Sequence, residues 1–212
     1  DIHEILLIAK EFNLKVIEDA AESLGSFISS KHTGTYGDMG ILSFNGNKTI
    51  TTGGGGAIVT NDNKVADIAK HLSTTAKQPH PWHFYHDSLG FNYRMPNLNA
   101  ALGCAQLESL EEFIIKKRKL FILYKDAFSK VNGVRLLEEP ENCKSNYWLQ
   151  TLILESENAN LLDMILKKTN NKGVMTRPTW TLMHNLPMFK DCPRADLSVA
   201  ESLEKRIINI PS

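Results

Sequence analysis

The sequence predicts an α/β fold with two domains, and three observations lead to this prediction. Short β-branched segments alternate with amphipathic helical segments over the first half of the chain, as strands and helices do in α/β proteins. A helical pattern then runs from Leu98 to Phe128, which is long enough to bridge two domains. The remainder mixes short strands with helices, as a small α+β unit does. We therefore assign residues 1–110 to a large mixed-sheet domain and residues 111–212 to a small α+β domain.

The composition excludes several classes of function. The chain has 212 residues, of which 42% are hydrophobic and 23% charged, and its 24 basic and 24 acidic residues cancel. A neutral protein has no overall field that attracts nucleic acid or an anionic membrane. No apolar run reaches the length that spans a bilayer. The three cysteines lie far apart without a Cys-x-x-Cys pair, which indicates reduced thiols. We expect a cytoplasmic protein with no nucleic-acid or membrane partner.

The elements of the first half follow from periodicity and turn residues. The expected elements are a helix over 2–12, a strand over 15–17 that ends on Glu18-Asp19, a hairpin over 27–36 around Gly34, strands on either side of Lys48, and a helix over 64–72 capped by Asp62. The chain opens directly into the first helical pattern without an initiator Met, so we expect it to be the interior of a longer protein.

The second half begins with a segment that is rich in Pro, His and aromatic residues and has no period. The expected elements are an ordered loop over 74–95, a long helix after Pro96 that bends at 109–111, a strand over 147–154, a helix over 160–171, a strand over 174–177, and a last helix from Ser198 towards Ile207. Ser198 and Glu201 have the spacing of a capping box at the start of this last helix.

The stretch from Ile41 to Thr60 holds the strongest candidate for chemistry. Lys48 lies between two apolar, β-branched segments, and four consecutive glycines follow it. Glycines let the backbone approach a ligand closely, and a partly buried lysine can attack a carbonyl to form a Schiff base. Upstream, Asp19 ends a buried strand and Ser43 ends another. A pyridinium cofactor needs such a set, because a carboxylate keeps its ring nitrogen protonated, hydroxyl groups hold its phosphate, and a lysine holds its aldehyde.

Together these residues resemble the DegT/DnrJ/EryC1/StrS family of sugar aminotransferases, which are fold-type I enzymes dependent on pyridoxal 5'-phosphate (PLP). Four motifs occur in the order and at the spacing of the family: Glu18-Asp19-Ala20-Ala21, Ser43-Phe44-x-x-x-Lys48, Thr52-Gly-x-Gly-Gly56 and Gly90-Phe91-Asn92-Tyr93-Arg94-Met95. The resemblance implies an aspartate aminotransferase-like fold, of which this chain would hold part of the large domain and the small C-terminal domain. Family members carry a further N-terminal portion.

The resemblance also implies a role for each matching residue. Asp19 would pair with the pyridine nitrogen, Ser43 would hold the phosphate, and Lys48 would bind the aldehyde. Asn92 would reach the phosphate of the neighbouring subunit's cofactor, which implies a homodimer with shared active sites. Glu22 stands where many members have Gln near the cofactor's 3-hydroxyl group.

The pattern departs from the family at Gly54. Many relatives have Glu at this position in a Thr-Gly-Glu-Gly-Gly motif, so any contact made by that Glu is in doubt here. The lysine chemistry does not depend on it.

The implied activity is amino transfer to a nucleotide-linked sugar. Glutamate is the expected donor, and the acceptor is the C4 ketone of a 4-keto-6-deoxy sugar. Some relatives replace the lysine with His and catalyse dehydration, so the presence of Lys48 favours transamination. The runs around Pro79, Asn146 and Met175 resemble a branch that acts on the way to legionaminic acid and similar bacterial surface sugars. Substrate contacts are assigned to Trp82, Arg94, Arg177 and His184.

Several competing interpretations remain beside the enzyme. The chain as it stands is alternatively a folded fragment that binds little cofactor. His80, His83 and His86 recur every three residues, but the prolines around them break the helix that would align them for zinc, so we expect no metal site. The glycine run lacks the Gly-Lys-Ser/Thr ending of a nucleotide-hydrolysing loop. The neutral charge disfavours a DNA-linked relative.

Overall fold

The computed structural model describes residues 1–212, which form two compact units. Unit 1 comprises Asp1–Ile115 and Pro140–Asn146, and unit 2 comprises Lys116–Glu139 and Tyr147–Ser212. The chain therefore leaves unit 1 within a helix, returns for a short segment, and leaves again. The sequence places the boundary of its predicted domains near the first crossing, but nothing in the sequence signals the return of Pro140–Asn146.

The chain forms six α-helices and ten strands, with five consecutive strands between α1 and α2. The helices are α1 (Ile2–Glu11), α2 (Asn63–Ser73), α3 (Asn97–Glu108), α4 (Leu110–Phe128), α5 (Leu162–Asn171) and α6 (Ser198–Glu204). The strands are β1 (Ile17–Asp19), β2 (Phe27–Ile28), β3 (Lys31–His32), β4 (Met39–Ser43), β5 (Gly56–Val59), β6 (Val134–Leu136), β7 (Cys143–Lys144), β8 (Gln150–Leu154), β9 (Arg177–Pro178) and β10 (Ile207–Ile210). None of the helices combines the length and the apolar character that crossing a membrane requires.

Unit 1 is built around a mixed sheet in the order β1-β4-β5. β1 runs parallel to β4, with Asp19 opposite Ile41, and β5 runs antiparallel to β4. The helices predicted before and after these strands in the chain are confirmed as α1 and α2. Asp62 caps α2 by accepting from the backbone N–H groups of Lys64 and Val65. The parallel pairing places the carboxyl ends of β1 and β4 at the same edge of the sheet.

A second small sheet in unit 1 has the order β3-β2-β7. The predicted hairpin exists, but its turn is at Ser29-Ser30 and not around Gly34. Both serines have a positive φ, of 46° and 71°, and so supply the turn without a glycine. Gly34 follows the hairpin with a φ of 89°, and it also packs closely, because a Cβ there would lie 2.8 Å from the Cβ of Ala20.

The loop after this hairpin is held by the Glu18 side chain, and the sequence does not predict this contact. Its carboxylate accepts from the backbone N–H groups of Gly34, Tyr36 and Gly37, at 2.5 to 2.7 Å. Hydrogen bonds to a charged acceptor are stronger than neutral ones. Glu18 thereby fixes the loop that leads into β4, while Asp19 beside it is exposed.

The long helical pattern is two helices. Pro96 precedes α3, and the chain breaks at Ser109 before α4 begins, as the sequence predicts for 109–111. The exposed segment before α3 has no regular element and only two isolated bridges, so the predicted loop over 74–95 is confirmed.

Unit 2 packs helices against an antiparallel sheet in the order β6-β8-β10-β9. Its core consists of Phe121, Leu136, Tyr147, Leu152, Leu154, Ile208 and Ile210. The predicted last helix ends at Glu204, because the chain then forms strand β10 and buries alternate isoleucines. The predicted capping box is also wrong, since the Ser198 hydroxyl donates to Asp196 (2.8 Å) and makes no cap bond.

Candidate active site

Lys48 follows β4 in unit 1, on a turn in which its backbone N–H donates to the Asn45 carbonyl oxygen at 3.1 Å. Its side chain is only 13% exposed, and its Nζ donates to Oε1 of Glu22. An ammonium that is largely removed from water requires a charged or hydrogen-bonding partner. Glu22 supplies that partner. The structure therefore brings together two of the residues that the sequence predicts for the site.

Asp19 and Ser43 end the two parallel strands β1 and β4 at the edge from which the Glu22 and Lys48 loops emerge. One carboxylate oxygen of Asp19 accepts from the backbone N–H of Ala21 at 3.2 Å. The Ser43 hydroxyl oxygen accepts from the backbone N–H of Asn45 at 3.4 Å and is half-buried. This edge is where open α/β sheets bind ligands.

The glycine run after Lys48 brings the backbone back close to β4. The Phe44 N–H donates to the Gly55 carbonyl oxygen at 2.9 Å, and Gly53 and Gly55 have φ values of 81° and 105° that favour glycine. A Cβ on Gly56 would lie 2.3 Å from the Leu42 carbonyl oxygen. At Gly54, in contrast, a Cβ would meet nothing within 4 Å.

Residues 74–93 form an extended arm that carries Asn92. Two isolated bridges, Thr74 with Asn92 and Lys77 with His86, hold its ends together. The arm exposes five large side chains, whose exposed fractions run from 64% to 84%: Trp82, Phe84, Tyr85, Leu89 and Tyr93. Asn92 is exposed, as is Arg94 just after the arm.

The histidines of the arm do not converge. His80 and His83 lie with their ring centroids 4.4 Å apart, whereas Nδ1 of His86 donates to the Thr75 carbonyl oxygen at 2.7 Å. No group of three His, Cys, Asp or Glu side chains in residues 1–212 is placed to hold a metal ion.

Asp87 ties the arm to α2. Its carboxylate accepts from Nε2 of His71 at 2.6 Å and from Nε2 of Gln78. These two hydrogen bonds, with that of His71 the stronger cause, hold the pKa of Asp87 below its ordinary value. The ionised carboxylate is therefore the form that orders the arm.

Two further candidates, Arg177 and His184, lie in unit 2. Arg177 is exposed in β9, with its guanidinium 3.3 Å from the Met175 sulfur. Nε2 of His184 lies 3.0 Å from Oε1 of Glu201. The predicted substrate contacts of both residues stay predictions.

Comparison with known proteins shows the family of the chain. The model of the DegT/DnrJ/EryC1/StrS aminotransferase family matches residues 1–212. The chain belongs to this family. Its fold agrees with that of PseC from Helicobacter pylori, an aminotransferase involved in the biosynthesis of pseudoaminic acid. The TM-score is 0.94 at 22% identity, over 100% of this chain and 57% of that one. The predicted fold-type I architecture is confirmed.

Two DegT/DnrJ/EryC1/StrS relatives are closer in sequence. EpsN of Bacillus subtilis strain 168, provisionally named a pyridoxal phosphate-dependent aminotransferase, is 41% identical over 99% of this chain and 54% of its own length. GDP-perosamine synthase of Escherichia coli O157:H7 is 37% identical over 100% of this chain and 57% of its own length. The chain thus spans somewhat more than half the length of the relatives it matches.

We predict that acid weakens the attachment of the arm to α2. Since the pKa of Asp87 is lowered by folding, its contribution to the ordered arm is complete above the ordinary carboxyl pKa of about 3.9 and is lost as the pH falls through the lowered value. Trp82 fluorescence, measured with Trp148 and Trp180 both replaced by Phe, should change over that range. The change should be absent in Asp87→Asn. A transition that is identical in both proteins would show that Asp87 does not hold the arm.

Proposed function

We propose that the protein transfers an amino group, with glutamate as donor, to the C4 ketone of a nucleotide-linked 4-keto-6-deoxy sugar, using PLP. The observation that carries this proposal is the largely buried Lys48 side chain, whose amine pairs with Glu22 at the sheet edge where Asp19 and Ser43 end their strands. The family of the chain supports the activity, and the names of EpsN and GDP-perosamine synthase support the cofactor and a nucleotide-linked sugar product.

The residues present fit PLP. A carboxylate, a hydroxyl group and an amine lie at the ends of β1 and β4 and on the loop that follows, and these are the three chemical groups that the cofactor's ring nitrogen, phosphate and aldehyde require. Lys48 supports the fit, because its side chain is largely buried and the glycines that follow it leave the neighbouring backbone without side chains. We assign Asp19 to the ring nitrogen, Ser43 to the phosphate and Lys48 to the aldehyde.

When bound, PLP supplies an electrophilic aldehyde and an electron-withdrawing ring that stabilises negative charge on the donor carbon. Asp19 keeps the ring nitrogen protonated, which sustains that electron withdrawal. The Nζ of Lys48 would take the proton from the Cα atom of glutamate and later deliver a proton, as general base and general acid.

Glu22 holds the Lys48 amine in place. The contact between its carboxylate and Nζ keeps the amine directed towards the sheet edge and balances its charge. The resemblance to the family places this side chain near the cofactor's 3-hydroxyl group, so one carboxylate serves two neighbours. Glu22 acts on the reaction by positioning and charge balance.

The active unit is a homodimer with shared sites. The arm of residues 74–93 presents five large exposed side chains, which a second copy of this chain would cover. Asn92 lies at the end of this arm and would contribute to the cofactor phosphate site of the partner. We assign the sugar-nucleotide contacts to Trp82, Arg94, Arg177 and His184.

The alternative of a fragment that binds little cofactor is less well supported. The family model matches throughout residues 1–212, and the residues of the Lys48 site are already ordered by contacts within unit 1. Because the relatives are longer than this chain, the experiments below test the activity of the full-length protein. The legionaminic acid branch and the cytoplasmic location stay predictions.

The first prediction from this proposal concerns cofactor attachment. Incubation of the full-length protein with PLP should produce a visible absorbance band, and borohydride should then fix the cofactor to Lys48, as located by peptide mass spectrometry. Lys48→Ala should lose both signals. Lys15→Ala is the matched control, since Lys15 is also ion-paired (2.7 Å to Asp38) but is 80% exposed. Retention of the band in Lys48→Ala would refute the assignment of the lysine.

The second prediction concerns the substrate. With glutamate as donor, the protein should form 2-oxoglutarate together with an amino sugar from the 4-keto-6-deoxy form of a GDP- or UDP-linked sugar. The amine should appear at C4, as determined by NMR of the product. Mixtures without the nucleotide-linked ketone are the control. If no such sugar accepts an amino group from a protein that binds PLP at Lys48, the substrate class is wrong and the cofactor assignment survives.

The third prediction concerns the shared site. Lys48→Ala and Asn92→Ala should each be inactive or strongly impaired alone. After mixing, unfolding and reassembly, each mixed dimer should hold one intact site, so activity should recover to roughly a quarter of the wild-type value. A mixture that stays as inactive as its components would show that Asn92 serves its own subunit or none.

A further inference from the structure

Asn146 is a buried polar residue for which the sequence gives no role. It is the last residue of the segment Pro140–Asn146 that returns to unit 1, and only 3% of the residue is exposed. Its amide Nδ2 donates to the carbonyl oxygens of Glu22 (2.8 Å) and Leu24 (3.0 Å), and it lies 3.3 Å from the hydroxyl oxygen of Thr49. Because carbonyl oxygens only accept, the NH2 side of the amide must face them.

These three acceptors belong to the two loops that form the Lys48 site. Two are on the turn that carries Glu22, and the third is on the residue next to Lys48. A single amide group therefore joins the backbone beneath the Glu22 carboxylate to the residue beside the Lys48 amine. The ion pair between the Lys48 and Glu22 side chains is a second contact between the same two loops.

The segment that carries Asn146 is itself anchored within unit 1. β7 pairs with β2 through Phe27 with Lys144 and Ile28 with Cys143. The backbone N–H of Asn146 donates to the hydroxyl oxygen of Ser26 at 3.0 Å. The amide is thus held at a fixed position, which a group on a loose loop would not be.

We propose that Asn146 is a positioning residue that sets the contact between Glu22 and Lys48. It acts through Glu22 and Thr49 and does not itself touch the reacting atoms. Without its amide, the turn of residues 22–24 and the loop at Thr49 lose their common partner, and the carbonyl groups of Glu22 and Leu24 lose a donor. The Lys48 amine then becomes more accessible. This inference rests on the proposed function only for its consequence in catalysis, because the contacts exist within this chain.

The reactivity of Lys48 in the full-length protein without added PLP tests the proposal. Mass spectrometry would follow acylation of Lys48 by a small anhydride at fixed pH, with Lys15 as the internal exposed reference. We expect Asn146→Ala to raise the relative rate roughly fivefold, as the loss of about one net hydrogen bond does to a local opening. Asn158→Ala is the matched control, since it removes an asparagine amide that donates to the Gly133 carbonyl (3.2 Å) in unit 2.

A pair of substitutions at Thr49 separates positioning from general destabilisation. Thr49→Val keeps the shape and removes the hydroxyl acceptor, so it should raise the Lys48 rate. Thr49→Ser removes a methyl group but keeps the hydroxyl, so it should leave the rate near that of the wild type. A purely structural role for Thr49 predicts the reverse order, because serine leaves the larger packing defect.

Glu22→Gln provides the positive control, because it weakens the ion pair directly and should raise the Lys48 rate. If Glu22→Gln raises it while Asn146→Ala and Thr49→Val do not, the positioning role is overturned. An equal increase in Asn158→Ala would overturn it too. Failure of the proposed function shows differently, as a protein that never attaches PLP to Lys48 although its Asn146 variants still change the acylation rate.

Discussion

The site depends on the parallel pairing of β1 with β4. This pairing sets Asp19 opposite Ile41, so that both strands end at one edge and the loops that follow them emerge together. One loop carries Glu22, and the other carries Lys48. An antiparallel pairing of the same segments would send the two loops to opposite ends of the sheet. Glu18 supports the arrangement, because it fixes the backbone that leads from the hairpin into β4.

The ion pair of Lys48 gives the site its second constraint. The Lys48 side chain is largely buried and its ammonium group contacts Glu22, so the turn after β1 must remain close to the loop after β4 for this contact to persist. The same contact serves the chemistry, because an amine held in one place can form a bond to a carbonyl group. Stability and chemistry are set by one contact here.

Local features of the sequence predicted local structure well. Asp62 predicted the start of α2, and Ser109-Leu110-Glu111 predicted the break between α3 and α4. The motif around Lys48 indicated the family and its sheet-edge site. The errors have local causes as well: the hairpin turns at two serines with positive φ angles, and the glycine with a positive φ, Gly34, lies after the hairpin. Likewise, alternate burial of isoleucines turned the end of the last helix into β10.

The contacts that organise the site were beyond the sequence, since they join distant residues. Glu18 meets residues sixteen to nineteen positions away, and Asn146 meets residues up to 124 positions away. Periodicity and turn chemistry describe neighbours along the chain and say nothing about such pairs. The sequence indicated the reacting groups and Glu22 beside them, but not the contacts by which Glu18 and Asn146 hold the loops.

The return of Pro140–Asn146 to unit 1 has a consequence for the order in which the protein is made. The ribosome must produce α4 and β6, which belong largely to unit 2, before it produces β7. Unit 1 is therefore complete only when Pro140–Asn146 has been made, after the first part of unit 2. The loops around Lys48 gain their contacts with Asn146 at that stage. Closing a loop of 120 residues between Ser26 and Asn146 also costs entropy that local contacts do not. During synthesis, the loops around Lys48 gain the contacts of Asn146 only after the chain has been made as far as residue 146.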